Sequence, residues 1–289
     1  MNLAEKKEFH RWQPAACLRV TGTDAGTFLQ GQFTNDLQEA GRVGPVYGLW
    51  LNQKGKVLAD AFVHRLSDQE HWIVSYFSPV SVIRERLEAY IIADDVVVED
   101  HTPGTSAVTL LGTWPAVLPV GGWKFPGRRV RAPHAELIFS TAEAAAVDAL
   151  LAGAAPLTAA EMERRRILAG IPAVPADIGP GDLPNEGGLE TEAISYTKGC
   201  YLGQEVMARL KSMGQVRRRL VRVRGAGAPP ARLAPVFQGG RQVGEVRSMA
   251  PVESGWVGWA MIALLSVKAG EPLALTADGP ANLDWEQGS

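Results

Sequence analysis

The run Lys198-Gly199-Cys200-Tyr201-Leu202-Gly203-Gln204-Glu205 sets one of only two cysteines between a lysine and an expected helix start. An ammonium beside the sulfur and unpaired N–H groups at a helix N-terminus both favour the thiolate, the nucleophilic form of cysteine. The pattern thus provides for a reactive cysteine without a histidine beside it. Gly199 and Gly203 let the backbone turn sharply on either side of the sulfur. The same residues also fit a turn cysteine that packs as a small hydrophobe. Gln204 and Glu205 fall in the first helical turn, where negative charge suits the dipole but opposes a nearby thiolate. Glu205 and Arg209 form an acid-before-base pair four residues apart.

Carboxylates and amides supply the second kind of chemistry. In residues 56–65, Val57, Ala59, Ala61 and Val63 alternate with Leu58, Asp60 and Phe62. Asp60 then has apolar neighbours and needs a partner or a ligand, unless it lies on a strand edge facing water. Thr34-Asn35-Asp36 follows a short helix that Asp24 is placed to cap, and suits either an Asx turn or the rim of a cleft. Glu186, after Pro184-Asn185, is a carboxylate able to accept two hydrogen bonds from an amino-pyrimidine edge, or simply solvated in a glycine-rich loop. Arg217-Arg218-Arg219 with Arg222 and Arg224 resembles a phosphate stripe, but Val221 and Val223 alternate with Arg222 and Arg224 as in a half-buried strand with a wet outer face. The five histidines have no metal spacing, and Cys-x-x-Cys, the P-loop and Gly-x-Gly-x-x-Gly patterns are missing.

These groups must be held by ordered elements. With 289 residues, 46% of them hydrophobic, the chain can bury one large core or two to three smaller ones. A net charge of −2 gives no global field to attract nucleic acid, so any such contact has to be local. Two cysteines, Cys17 and Cys200, fit a reducing compartment, and cytoplasm is the expected location. Met1 to Glu8 carries both charge signs and no apolar run follows, so a secretory signal is not expected. The longest apolar stretch, Trp256 to Val267, is interrupted by Gly258 and Ser266 and is short for a membrane span.

Periodicity predicts strands at Cys17–Val20, Tyr47–Leu51, Lys56–Arg65, Trp72–Tyr76, Val96–Val98 and Val108–Leu111. Ser78-Pro79 predicts the cap and first position of a helix through Ile83, Leu87 and Tyr90. Thr158-Ala159-Ala160-Glu161 predicts a capping box opening a helix over 159–169, with Gly170 and Pro172 as stops. After the cysteine run, β segments at Leu220–Val223, Val243–Arg247, Trp256–Met261 and Leu273–Thr276 predict a small barrel or sandwich, with Arg224 to Pro235 as a linker or barrel loop. Periodicity by itself gives an α+β body with a β tail.

Lys-Gly-Cys-Tyr-x-Gly-Gln-Glu resembles the signature of the YgfZ family of folate-binding proteins, relatives of the glycine cleavage T-protein (aminomethyltransferase). The resemblance extends through Val20-Thr21-Gly22, Asp24-Ala25, Phe28-Leu29-Gln30-Gly31-Gln32, Thr34-Asn35-Asp36, Gly55-Lys56-Val57-Leu58-Ala59-Asp60, Arg166-Ile167, Gly170-Ile171-Pro172, Pro184-Asn185-Glu186 and Arg217-Arg218-Arg219-Leu220. It implies an α+β fold of two mixed α/β lobes and a C-terminal small β-barrel around a central folate channel. The expected division is 1–50 with 100–215, then 51–99 carrying Asp60, then 216–289. It further implies tetrahydrofolate or a derivative as ligand, and a role in assembly or repair of iron–sulfur proteins, including those that modify tRNA. Iron–sulfur client or assembly proteins follow as expected partners; a membrane and direct nucleic-acid binding do not. Cys200 and Lys198 become the expected functional pair, with Asp60, Asn35, Asp36, Glu186, Tyr201 and Gln204 as folate contacts. The alternative is an aminomethyltransferase. Against it, Ala59-Asp60 stands where those enzymes carry Asp-Asp, and Leu168 where they carry Glu.

Overall fold

The computed structural model describes residues 6–39, 44–214 and 216–286; residues 1–5, part of the segment read for a leader, lie outside them. Three five-stranded sheets, each with its own packed face, organise the chain.

The first sheet has the order β3-β4-β5-β2-β6, from β2 (Ala16–Thr21), β3 (Val46–Leu51), β4 (Val57–Ser67), β5 (Glu70–Ser75) and β6 (Val97–Asp100). One face carries Leu18, Trp50, Ala59, Ala61, Val63 and Ile73 against α1 (Ala25–Gln32) and α2 (Val80–Glu88). The other presents Cys17, Tyr47, Leu49, Phe62, Val74 and Tyr76 to the rest of the protein. Strand alternation delivers Asp60 to that second face, with Phe62. Val57 leaves the expected alternation: a register shift beside Trp50 and Leu51 turns it to the Phe62 side.

The second sheet, order β10-β1-β7-β9-β8, contains β1 (Glu8–Trp12), β7 (Thr105–Leu111), β8 (Trp123–Pro126), β9 (His134–Ser140) and β10 (Ala155–Pro156), with α3 (Ala144–Leu151) over Val108, Leu110 and Phe139. The sheets therefore group residues differently from the expected 51–99 lobe: β2 and β3, from the first fifty residues, pair with β4 and β5. Backbone pairing joins strands by register, and loop closure over tens of residues costs little enough to allow it.

α4 (Ala159–Leu168) matches the predicted helix, with Thr158 Oγ1 accepting the Glu161 N–H at 3.1 Å. The capping box is half made, because the Glu161 carboxylate turns to Arg164 and Arg165. Two expected caps are corrected. Ser78 gives its hydroxyl to Asp60, leaving Pro79 as the N-cap of α2. Asp24 is the N-cap residue of α1 but makes no side-chain cap bond; it accepts the Asp95 N–H instead. A longer-range partner took the place of the local one at both positions.

The C-terminal sheet has the order β12-β13-β14-β11-β15, from β11 (Arg218–Gly225), β12 (Pro235–Gln238), β13 (Arg241–Val252), β14 (Gly255–Ala263) and β15 (Leu283–Trp285). Bridges from Phe237 to Ala274 and from Leu273 to Leu283 link its two edges, so the sheet curls into a small barrel around Val223, Val246, Trp256 and Ile262. The expected strand at Leu273–Thr276 survives only as those two bridging residues. No helix among the described residues is long and apolar enough to cross a membrane.

Candidate functional site

The loop before α6 (Gln204–Met213) exposes Cys200, whereas Cys17 is buried and its thiol is pushed up to about 11 by burial. Gly203 caps α6 with φ +88°, and a Cβ there would meet Asn52 O at 3.0 Å, so the segment lies tight on the β3–β4 turn. Leu202 N–H donates to Gly31 O at 3.3 Å, tying the loop also to α1.

Lys198 does not serve the sulfur as the sequence suggests. Its side chain is buried, and Nζ donates to Gln30 O at 2.6 Å, Phe33 O at 2.7 Å and Asn35 O at 3.0 Å. An ammonium has three N–H donors, and all three are spent on carbonyls at and just beyond the end of α1. Such carbonyls lack helical partners and carry the negative end of the helix dipole, so a cation is the natural cap. Burial pulls the lysine down to about 8. Tyr201 lies under it, its ring centroid 5.3 Å from Nζ, and its buried hydroxyl has no partner among the described residues. Gln204 Oε1 accepts the Tyr201 N–H at 3.4 Å, a contact within the loop itself.

Asp60 lies on the inner face of the first sheet, 3% exposed, which excludes the wet strand edge. Oδ1 accepts from Ser78 Oγ at 2.7 Å and Ser75 Oγ at 3.1 Å; Oδ2 accepts from the Tyr47 hydroxyl at 2.9 Å. Burial raises its pKa, with these three donors opposing the rise. Asn35 supports the same region: its Nδ2 donates to Tyr47 O at 2.8 Å and Glu192 O at 3.1 Å. Asp36 is held locally, accepting from Gln30 Nε2 and the Gln38 N–H.

A second buried carboxylate, Glu136, was not legible in the sequence. It is 0% exposed and accepts from Trp12 Nε1 at 3.1 Å, Thr109 Oγ1 at 2.7 Å and the Tyr76 hydroxyl at 2.8 Å. Arg128 and Arg129, adjacent in one loop, cover the two tyrosines: Arg128 lies 4.5 Å from the Tyr47 ring and Arg129 4.3 Å from the Tyr76 ring. The facing sheets thus each carry an acid–tyrosine pair capped by an arginine, and Arg128 reaches on to Glu192 and Pro172 O. These residues are scattered from 12 to 192, and no local spacing betrays them; the Arg-Arg pair next to Gly127 was the one available signal.

Glu186 was expected to grip a pterin edge. It is buried and committed to the Leu183 N–H at 2.7 Å and to Arg218, whose Nε and Nη2 lie at 3.1 and 3.0 Å. Arg218 also pairs with Asp182, and Arg222 with Glu286, so these two arginines of the basic run are engaged within the protein. Arg209 and Glu205 meet at 3.3 Å as the spacing predicted, on a well-exposed helix face. Among the described residues no group of His, Cys, Asp or Glu side chains converges to hold a metal ion.

Asp60 tests the fit of the implied folate. A carboxylate offers about four acceptor places, and three are filled by hydroxyls, so one remains for a ligand N–H. Asp60 therefore fits such a ligand as a single acceptor. Lys198, with its three donors spent, does not; Glu186 keeps one acceptor place by the same count, but its charge is already paired with Arg218.

Comparison with known proteins agrees with this architecture. Residues 13–115 match the GCVT N-terminal domain and residues 217–285 the CAF17 C-terminal beta-barrel domain. The fold is similar to the crystal structure of glycine cleavage system aminomethyltransferase T from Bartonella henselae, with a TM-score of 0.77 and 18% identity over 92% of this chain and 81% of that one. The human mitochondrial iron–sulfur cluster assembly factor IBA57 is 31% identical over 93% of this chain and 82% of its own length. The tRNA-modifying protein YgfZ of Blochmanniella pennsylvanica is 24% identical over 74% of this chain and 68% of its own. The expected cytoplasmic location is overturned by these relatives, since the human, mouse and Phaeosphaeria nodorum proteins are mitochondrial. Two cysteines indicate a reducing compartment, and that criterion does not separate cytosol from the mitochondrial interior. With a GCVT-like body, a CAF17-type barrel and near full-length similarity to the human protein, this chain belongs to the family that includes IBA57 and YgfZ.

Proposed function

We propose that the chain acts in iron–sulfur cluster assembly or repair, with Cys200 as its functional thiol and tetrahydrofolate as its ligand. The observation that carries the reading is the exposed Cys200 on a loop pinned at both ends, by buried Lys198 on one side and by the tight Gly203 packing on the other. A cysteine so placed is presented to partners by a rigid support, which lowers the entropic cost of using it. Asp60, with one acceptor place left and Tyr47 and Arg128 beside it, is the group proposed to receive a folate N–H. Clients that modify tRNA are proposed from the name of the Blochmanniella relative.

Cys200→Ala is expected to abolish restoration of iron–sulfur enzyme activity in cells that lack the native protein and are placed under oxidative stress. Full restoration by the variant would remove the sulfur from the mechanism. Titration of the purified chain with tetrahydrofolate, repeated on Asp60→Ala with folding checked by circular dichroism, tests the ligand. Formation of methylenetetrahydrofolate from an aminomethyl donor would instead favour aminomethyl transfer.

A further inference from the structure

A groove of about 550 Å³ runs between α6, the start of β11 and the short turn Leu264–Ser266 that follows β14. Leu210, Val216 and Leu265 form its apolar part, and Leu265 stands 88% exposed. The Leu264 N–H donates to Arg217 O at 2.9 Å, which holds the leucine's turn against the first barrel strand. One exposed leucine is ordinary on a protein surface; one that continues an apolar groove edged by cations has the make-up of a docking surface.

The charges around the groove narrow the occupant. Lys56, Arg217 and Arg218 edge it. Its one carboxylate, Glu186, is already paired with Arg218, and the acids of α5 (Glu190–Ala193) take no part in its wall. Lys56 is half-buried and Arg217 exposed, and neither side chain has a hydrogen-bond or ion-pair partner among the described residues. Cations gathered without counter-charges around one groove raise its potential and select an anionic partner. No aromatic ring lines the groove, so it offers no platform for stacked bases, which disfavours single-stranded nucleic acid.

We propose that this groove docks an acidic segment of a partner protein, with an aliphatic side chain seated against Leu210, Val216 and Leu265 and its flanking carboxylates on Lys56 and Arg217. Docking there brings the partner to the loop of Cys200. Lys56 ends the turn on which Gly203 packs, and Leu210 lies six residues past the start of α6, about 9 Å along its axis. A partner held so near meets the thiol at a raised effective concentration. That link rests on the thiol reading above; the groove and its charges do not.

The test is the photo-crosslinker p-benzoylphenylalanine placed at Leu265 of the full chain in cells, with the linked segment sequenced by mass spectrometry. The expected adduct is a protein segment rich in Asp and Glu around an aliphatic residue. Lys56→Glu and Arg217→Glu are each expected to lower its yield. Each should weaken binding of the corresponding synthetic peptide roughly 5- to 50-fold, with circular dichroism and the alkylation rate of Cys200 unchanged. Should Lys56→Glu misfold, Arg217→Glu, at an exposed position, decides. No adduct, a segment without acidic residues, an adduct to nucleic acid or to a second copy of this chain, or a yield indifferent to both reversals overturns the assignment. If the acidic adduct forms as expected while Cys200→Ala fully restores iron–sulfur enzyme activity, the groove stands and the thiol reading falls. If Cys200→Ala fails to restore it and no acidic adduct forms, the groove falls and the thiol reading stands.

Discussion

Two neighbours in the same loop divide the labour that the sequence assigned to them jointly. Lys198 spends its charge on the end of α1, and Cys200 stands free in solvent two residues on. Lys198→Met is expected to cost about 2–4 kcal/mol in urea unfolding, because it strands carbonyls that had charged donors. Cys200→Ala is expected to stay within about 0.5 kcal/mol of wild type in the same assay, as for an exposed side chain. His71 gives the pH dependence. Its ring is 1% exposed, neither nitrogen has a partner among the described residues, and burial lowers its pKa to about 4 from 6.5. Between those values the unfolded chain binds a proton that the folded one refuses, so stability rises with pH from 4 to 6.5 and is lost on acidification. The loss amounts to about 3 kcal/mol from this residue, and His71→Phe is expected to flatten the profile of Tm against pH over that window.

Among the elements, α4 shows how local and distant interactions cooperate. Thr158 starts it through a short-range bond to the Glu161 N–H, and Arg166 near its end reaches both the following loop and the barrel. Thr158→Ala is expected to cost about 1 kcal/mol, read as a lowered Tm with the unfolding m-value unchanged. Strand β4 makes the complementary point. Its alternation places Asp60 inward, but the donors that make this burial tolerable come from Tyr47, Ser75 and Ser78, on β3, β5 and the turn before α2. The expected N-cap role of Ser78 was lost to this demand, since a buried carboxylate gains more from a hydroxyl than a helix start that already has proline.

The barrel joins the rest of the molecule through a shared apolar core, with Leu220, Val257, Trp259 and Met261 on its side, and through ion pairs set around that core. Arg166 and Asp177, with side chains 3% and 0% exposed, meet at 2.7 Å, and Asp177 and Arg166 also bond the backbone N–H and hydroxyl of Ser248 on β13. Arg218 and Arg247 hold the barrel to Asp182 in the same way. Arg166→Met leaves Asp177 buried without its cation and is expected to cost about 3–5 kcal/mol. Calorimetry should then show the barrel separating as an earlier transition; a single unshifted transition would mean that the pair does not couple the units.

Sequence by itself determined most strand positions in the first sheet, the α4 cap, a separate β tail and the family, because each is written in short-range periodicity, turn chemistry or a contiguous motif; of the second sheet it marked β7 but not β1, β8, β9 or β10. It also identified Cys200 and Asp60 as residues whose surroundings would matter. The tertiary structure alone decided which groups those residues meet: Lys198 with the α1 carbonyls, Glu186 with Arg218, and Glu136 with Trp12, Thr109 and Tyr76. The physical reason is that a buried charge takes whichever donor or acceptor the packing brings within about 3 Å. That choice depends on strand order and register across tens of residues, which no local spacing records.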